Sequence, residues 1–348
     1  MMAILLFKLC QRHLRLPSAK KGLFMKVGLF GCGAYGMALS SIMTENHCDI
    51  TMWTKFEEEK KNLEETRKNE KLIPNFSISD KIKLTTSVEE CIKDKDLLVI
   101  AIPAAFIDSL ALEMKPFIKG NHIVIATKGI EQETGLFIHQ ILEKYLDTKN
   151  LAVISGPSFA VDLVTKMPAG LTLATEKEET ERLAKEALAN RYIKLRSTKD
   201  IIGTEICGSI KNVIALSAGM LAGLGANDST TAMLLTEASH DMREIIKAFD
   251  GDKQTVLSFA GFGDLLLTCT SVKSRNFSFG KLLGEKRSKS EIKEYLSHTT
   301  VEGFYTLESI YKLLKNKKVS IPIIDLIYDI AVEGKEPESL LTFLVEKE

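Results

Sequence analysis

The strongest constraint on the fold is a glycine-rich turn between a short apolar run and a helical stretch. The run Lys26–Phe30 (KVGLF) leads into Gly31-Cys32-Gly33-Ala34-Tyr35-Gly36, and helical spacing continues over 34–46. In this G-x-G-x-x-G pattern the first glycine permits a tight turn, the second lets a pyrophosphate approach the backbone, and the third lets the helix pack on the strand. The pattern predicts a dinucleotide-binding unit with the pyrophosphate at the helix N-terminus.

Short apolar runs alternate with helical stretches, such as 134–146, up to about residue 196. Eight runs predict strands, at 26–30, 49–53, 81–85, 96–102, 122–127, 151–155, 171–175 and 192–196. The runs at 96–102 and 122–127 are almost continuously apolar, as expected of central strands that are covered on both faces. The pattern predicts a Rossmann-type α/β fold with a doubly wound, mainly parallel sheet.

After Thr198 the chain changes to apolar residues at helical spacing, with no strand pattern. The helical stretches lie at 203–224, 229–249, 279–284, 289–297, 303–315 and 322–333. We therefore expect a dinucleotide-binding domain over 25–198 and an all-helical domain over 199–348 that holds the substrate. Two domains also agree with the length of 348 residues.

The charges are balanced overall but not along the chain. The sequence has 46 basic and 46 acidic residues, which argues against a nucleic-acid partner. No run reaches the roughly 18 apolar residues that a membrane-spanning helix needs.

Residues 1–24 hold five bases, and no acid precedes Glu45. This leader is interpreted as an extension translated upstream of a true start at Met25, or as a disordered segment; the alternative is an organellar transit peptide.

The cysteines give no sign of a disulfide framework or a metal centre. They are scattered, at Cys10, Cys32, Cys48, Cys91, Cys207 and Cys269. No C-x-x-C pair or His/Cys cluster occurs, so no metal site is predicted. The pattern indicates a reducing compartment, and we expect the cytoplasm.

The residues at the end of the second strand leave the choice of dinucleotide open. In NAD-binding units an acid about 20 residues beyond the glycine turn binds the ribose 2′-hydroxyl. Here Met52-Trp53-Thr54-Lys55 stands at that place, and Asp49 lies at the other end of the strand. Lys55 could meet the 2′-phosphate of NADP or be solvated, so both NAD and NADP remain candidate cofactors.

Three loops follow strands at the carboxyl edge of the predicted sheet, where ligands bind in open α/β folds. Pro103 follows the fourth strand, Lys128 the fifth, and Gly156-Pro157-Ser158-Phe159-Ala160 the sixth. Lys128 is a candidate anion contact. Ser158 is interpreted as a helix cap that could also bind a ligand.

Seven motifs occur in a fixed order along the chain: GCGAYGMAL, ATKGIE, SGPSFA, KNVIALSAG, GFGDLLLTCT, SRNFSFG and VEGFYT. In this order they resemble the soluble, bacterial-type glycerol-3-phosphate dehydrogenase family over about 26–335. The resemblance implies reversible hydride transfer between NAD(P)H and dihydroxyacetone phosphate, giving sn-glycerol 3-phosphate for phospholipid synthesis. It also implies a helical domain like the C-terminal domain of 6-phosphogluconate dehydrogenase, and a homodimer.

The resemblance also implies roles for individual residues. Lys211 matches the catalytic lysine. The substrate contacts are Lys128, Gly156, Ser158, Asp264, Ser274, Arg275 and Asn276. The cofactor contacts are Ala34, Tyr35, Lys128, Ala160, Arg275 and Glu302.

The residue types suit this chemistry. Hydride transfer to a ketone places negative charge on its oxygen, and a lysine can protonate that oxygen if burial or nearby cations bring its pKa toward the working pH. Lys211 lies in an otherwise apolar helical stretch beside Asn212, which favours a site over a solvated position. Asp264 is expected to hold its ammonium group. Arg275 offers a bidentate fork to a phosphate, and Ser274 could cap the helix that begins there.

The sequence departs from the family pattern at several positions. Glu237 replaces a common arginine, and smaller departures occur at Ser209, Ser217 and Thr300. A carboxylate bordering the phosphate pocket would repel the substrate. Two alternatives therefore stay open: a dehydrogenase for another phosphorylated or acidic hydroxy compound, and a catalytically weak nucleotide-binding paralogue. The presence of Lys211, Asp264 and Arg275 argues against the second.

Overall fold

The computed structural model describes residues 24–131, 134–317 and 319–346. The leader over 1–23 lies outside the described residues. Eight strands form one sheet in the order β3-β2-β1-β4-β5-β6-β7-β8. All neighbours are parallel except β6 and β7, which run antiparallel. The strands are β1 Lys26–Phe30, β2 Asp49–Trp53, β3 Lys83–Thr85, β4 Leu97–Ile100, β5 His122–Ile125, β6 Leu151–Ser155, β7 Ala169–Ala174 and β8 Ile193–Thr198.

The described helices between these strands cover both faces of the sheet. They are α1 Ala34–Glu45, α2 Glu57–Thr66, α3 Val88–Ile92, α4 Ile107–Met114, α5 Ile138–Leu146, α6 Ala160–Leu163 and α7 Glu178–Leu188. In β4, Leu97 and Val99 belong to one buried cluster, whereas Leu98 and Ile100 belong to the other. This two-sided burial explains the continuous apolar run and confirms the predicted doubly wound sheet.

The helix expected over 134–146 begins later than the sequence pattern indicates. Ile130 and Phe137 form an isolated antiparallel bridge, and α5 starts only at Ile138. The backbone of Thr134 donates to the Glu131 carboxylate, and Gly135 has a φ of 71°. Local side-chain bonding and a left-handed glycine therefore reverse the chain here, which sequence periodicity does not detect.

Helices make up the regular structure after Thr198 in the part of the chain that the structure describes, apart from short single turns. They are α8 Ile201–Gly223, α9 Asp228–Ala248, α10 Asp264–Cys269, α11 Arg275–Gly284, α12 Lys289–His298, α13 Glu302–Lys317, α14 Pro322–Ala331 and α15 Ser339–Glu346. This agrees with the all-helical second half. The helices α10 and α15 were not expected from the sequence, because each is only two turns long.

Helix α8 is the central element of this half and is buried over most of its length. Its glycines let α11 approach closely, since a Cβ at Gly219 would lie 2.0 Å from the Phe277 carbonyl oxygen. The reciprocal contact occurs at Gly280, where a Cβ would lie 2.0 Å from the Leu216 oxygen. This tight packing brings the start of α11 next to the middle of α8.

Helix α8 is also the one described helix long and apolar enough to cross a membrane, but 89% of its most apolar window is buried inside the protein. A core helix of this kind passes the same test of length and composition. Among residues 24–131, 134–317 and 319–346, no three His, Cys, Asp or Glu side chains form a group that could hold a metal ion.

Candidate active site

The glycine turn has the geometry that a dinucleotide pyrophosphate requires. Gly31 has a φ of 119°, and a Cβ at Gly36 would lie 2.0 Å from the Gly31 carbonyl oxygen. The space beside the Gly33 Cα is open, and Gly33 caps α1 without a side-chain hydrogen bond. The first amide groups of α1, which begins at Ala34, are therefore available for an anion, so the residues present fit the cofactor.

Two lysines and one aspartate form a buried cluster where the carboxyl edge of the sheet meets α8. Lys128 follows β5, Lys211 lies in the middle of α8, and Asp264 is the first residue of α10. The ammonium group of Lys211 donates to Asp264 Oδ1 at 2.7 Å, and that of Lys128 donates to Asp264 Oδ2 at 2.7 Å. Asp264 is 1% exposed and Lys211 6% exposed, whereas the Lys128 side chain is 18% exposed, so one buried carboxylate serves a buried and a partly buried cation.

This arrangement shifts the pKa values of the two lysines in opposite directions. Burial lowers the pKa of Lys211 to about 8, with the nearby charge of Lys128 acting in the same direction and Asp264 opposing it. Burial also works against protonation of Lys128, but the charge and hydrogen bond of Asp264, together with the charges of Tyr35 and Glu302, outweigh it and raise the pKa of Lys128. Lys211 is therefore the lysine that can gain and lose a proton near neutral pH.

Thr268 completes the contacts of Lys211 and was not expected from the sequence. Its hydroxyl oxygen accepts a hydrogen bond from the Lys211 ammonium at 3.0 Å and donates to the Asp264 carbonyl at 2.6 Å. The spacing of Asp264 and Thr268, four residues apart on a helix, is a signal that could have identified it. Together these partners fix the position of the ammonium group.

Tyr35 and Ser158 join the glycine turn to the loop after β6. The Ser158 hydroxyl donates to the Gly156 carbonyl at 2.9 Å, so the Tyr35 hydroxyl is the donor in their 3.1 Å contact. Burial raises the pKa of Tyr35, which keeps the phenol protonated. The interpretation of Ser158 as a helix cap is wrong, because Phe159 occupies the N-cap of α6 and Ala160 begins it.

A second polar group lies where α11 and α13 begin. The Ser274 hydroxyl accepts the Phe277 amide at 3.2 Å and caps α11, as the sequence predicts. The Gly303 amide donates to Asn276 Oδ1 at 2.8 Å, which ties the first turns of α11 and α13 together. Arg275 lies 3.8 Å from Glu302 and remains half-exposed, so its guanidinium can reach a ligand.

An acid from the next helix lies beside the residue that follows β2, and the sequence pattern did not reveal it. The Thr54 hydroxyl donates to the Glu59 carboxylate, which comes from the first turn of α2. Lys55 is mostly exposed and lies 3.8 Å from Glu113. A cation and an acid therefore both stand near the expected position of the ribose.

Glu237 lies near the middle of α9 and is half-buried. The acids that raise the pKa values of Lys128 and Lys211 include Asp264 and Glu302. An effect of Glu237 on substrate choice stays a prediction.

The comparisons agree with this geometry. Residues 26–181 match the model of the NAD-dependent glycerol-3-phosphate dehydrogenase N-terminus, and residues 200–342 match that of the C-terminus. Glycerol-3-phosphate dehydrogenase [NAD(P)+] of Leptospira biflexa is 33% identical over 93% of this chain and 98% of its own length. The Fusobacterium nucleatum protein of the same name is 34% identical, covering 89% and 93%.

Among solved structures, glycerol-3-phosphate dehydrogenase from Coxiella burnetii superposes with a TM-score of 0.86. It is 26% identical, and the match covers 93% of this chain and 99% of that one. Both halves of the chain, the nucleotide fold and the helical part, are therefore accounted for by one family. The chain belongs to the NAD-dependent glycerol-3-phosphate dehydrogenase family.

Proposed function

We propose that this chain interconverts dihydroxyacetone phosphate and sn-glycerol 3-phosphate with NAD(P)H, and so supplies glycerol phosphate for phospholipid synthesis. The observation that carries the proposal is the buried Lys211–Asp264–Lys128 cluster, which lies at the sheet edge used by ligands in such folds. The bound dinucleotide supplies the hydride. The side chains of the cluster hold and move the proton.

In this proposal Lys211 is the acid and base. In the direction of reduction its ammonium gives a proton to the substrate oxygen as negative charge develops there, and in oxidation the neutral amine takes that proton back. Asp264 orients the ammonium through Oδ1. Lys128, held on Oδ2, adds a fixed positive charge that stabilises the oxyanion.

The turnover assay tests the function directly. Oxidation of NADH and NADPH is followed with dihydroxyacetone phosphate and, separately, with unphosphorylated dihydroxyacetone. We expect turnover of the phosphorylated ketone and a much higher KM for the unphosphorylated one. Absence of turnover with the phosphorylated ketone would contradict the proposal.

Arg275 is proposed to bind the substrate phosphate together with Asn276 and the first amides of α11, with Gly156 and Ser158 lining the same substrate site. Replacing Arg275 by alanine should raise the KM for dihydroxyacetone phosphate by roughly 10- to 100-fold, since a charge-assisted hydrogen bond contributes about 1.5–3 kcal/mol. Arg287→Ala, which removes an exposed ion pair with Glu285, is the control and should leave KM within about twofold. An equal KM for the two variants would refute this role.

The cofactor preference is proposed to depend on Lys55. Lys55→Ala should raise the KM for NADPH by about three- to tenfold, because one partly screened contact to a 2′-phosphate is lost, and should leave the KM for NADH within about twofold. Initial rates with each nucleotide measure the difference. An equal effect on both nucleotides would show that Lys55 does not contact the 2′-phosphate.

We also propose that the domain boundary lies between residues 198 and 199, that the protein works in the cytoplasm, and that it forms a homodimer. The sheet ends at Thr198 and α8 begins at Ile201, which supports the boundary. Exposed apolar residues on adjoining turns, Leu257, Phe262 and Leu266, support association. Analytical ultracentrifugation at several concentrations would distinguish a dimer from a monomer.

A further inference from the structure

A buried acid on α8 takes no part in the chemistry proposed above. Glu205 lies six residues before Lys211 and is 5% exposed. Its Oε2 contacts the Nδ1 atom of His139, and its Oε1 accepts the backbone amide of His139 at 3.0 Å. His139 is itself buried in the first turn of α5. A His–Glu pair therefore lies inside the protein near the reactive lysines.

A small cavity separates this pair from the catalytic cluster. It has a volume of about 10 Å³, room for one water molecule, and both Glu205 and Lys128 line it. The Ser155 hydroxyl also lines it, is 2% exposed and has no hydrogen-bond partner among the described residues. Gly208 keeps the space open, because a Cβ there would lie 3.0 Å from Ser155 Oγ. The residues around a water in this cavity would include Ser155, Glu205 and Lys128, and the Ser155 hydroxyl would gain a hydrogen-bond partner.

On its other side the pair reaches a surface cleft. His139 lines this cleft, which has a volume of about 530 Å³ and also contains the exposed side chain of Lys149. The cleft meets α8 at Ile202, the small cavity meets it at Glu205 and Gly208, and Lys211 follows. At 1.5 Å per residue these features are spread over about 14 Å of one helix. Glu205 therefore lies on α8 between the residue that meets the solvent cleft and the lysine of the catalytic cluster.

We propose that His139, Glu205 and a water held by Ser155 form a proton relay between this cleft and the Lys128–Asp264–Lys211 cluster. The inference rests on the proposed dehydrogenase reaction, in which each reduction consumes one proton. After Lys211 has given its proton to the substrate oxygen, a proton passes to it from Lys128 through Asp264 while Lys128 takes another from the buried water, so Lys128 keeps its charge. The water recovers its proton from Glu205, Glu205 from His139, and His139 from water in the cleft. Oxidation runs the same transfers backwards, with one proton released.

The charges around His139 suit this role. Burial opposes its protonation, but the hydrogen bond and charge of Glu205 outweigh burial and raise the pKa of His139, with Glu143 adding to the rise and Lys149 opposing it. The other charged groups around the cleft are Glu176, Lys177, Lys199, Asp200 and Asp250. His139 is therefore protonated over a wider pH range than a free histidine side chain.

The alternative is a purely structural pair, because Glu205 also accepts an amide of the first turn of α5. Glu205→Gln separates the two roles, since glutamine keeps that acceptor but does not carry a proton. At a temperature where the variant is fully folded, we expect its kcat to fall about tenfold or more with a larger solvent deuterium isotope effect. Lys177→Ala, a cleft variant outside the relay, is the matched control.

His139→Ala supplies the second measurement. We expect a similar loss of kcat, restored by imidazole added to the solution, because the cleft gives the small base access to the vacated position. Imidazole should not restore Glu205→Gln. An unchanged kcat and isotope effect in Glu205→Gln would overturn the relay. The relay would also be overturned if the fall in kcat came with a lower melting temperature and imidazole did not restore the kcat of His139→Ala. A wild-type protein that does not turn over dihydroxyacetone phosphate would instead refute the proposed function.

Discussion

Replacing Lys211 by methionine is expected to lower kcat for dihydroxyacetone phosphate reduction by about 10²- to 10⁴-fold, the usual contribution of a positioned proton donor. Methionine has a similar length and suits the buried position, so the fold should survive. Turnover is measured with saturating NADH. Lys312→Met changes an exposed lysine on α13 in the same way and should leave kcat within about twofold.

The pH profile gives an independent test of Lys211. Reduction needs the protonated amine, so with a pKa of about 8 the rate should be level below that pH and fall above it. Oxidation needs the neutral amine, so its rate should rise with pH and become level above about 8. Both limbs should be absent from the residual activity of Lys211→Met. Their persistence in that variant would assign the titration to another group.

The second large effect is expected at Asp264. Asp264→Asn leaves the buried Lys211 and the partly buried Lys128 without their shared carboxylate, and removing one partner of a buried ion pair typically costs about 3–5 kcal/mol. The free energy of unfolding, measured with urea, should fall by that amount. The pKa of Lys211 should also fall, because the anion that raises it is gone. The alkaline limb of reduction would then move to lower pH, and kcat should fall at least 100-fold.

Asp329→Asn is the matched control for stability. Asp329 pairs with Lys335 at 3.4 Å on the surface, where loss of an ion pair costs no more than about 1 kcal/mol. An equal loss of the free energy of unfolding in the two variants would show that the buried ion pairs of Asp264 stabilise the protein no more than a surface pair does. Wild-type kcat in Asp264→Asn would exclude it from positioning Lys211.

The eight strands could be predicted from the sequence because their signals are local. Each depends on a short apolar run bounded by turn residues, and β1, β2 and β6 have the expected bounds. The start of α5 could not be predicted in this way. Residues 134–137 have helical spacing, but Thr134 bonds to Glu131 and Gly135 takes a left-handed conformation. Such competition between local hydrogen bonds does not appear in a periodicity.

The residues of the site likewise include some that could be predicted from the sequence and some that could not. Lys211 was identified from its place in the family resemblance and because a charge in an apolar helix is unusual, and Gly31 and Gly36 because their spacing has one structural meaning. Thr268 and Glu59 were missed, since a threonine on a short helix and an acid in a charged stretch are common residues. Only their contacts with Lys211 and Thr54 distinguish them.

The sequence by itself determined the class of fold, the order of its elements and the residue types of the chemistry. The tertiary structure alone decided that Lys128 and Lys211 both bind the buried carboxylate of Asp264, which lies up to 136 positions away along the chain. It also decided that Lys211, rather than Lys128, has the lowered pKa. The physical reason is that burial and charge act through space, so a pKa depends on neighbours that folding brings together.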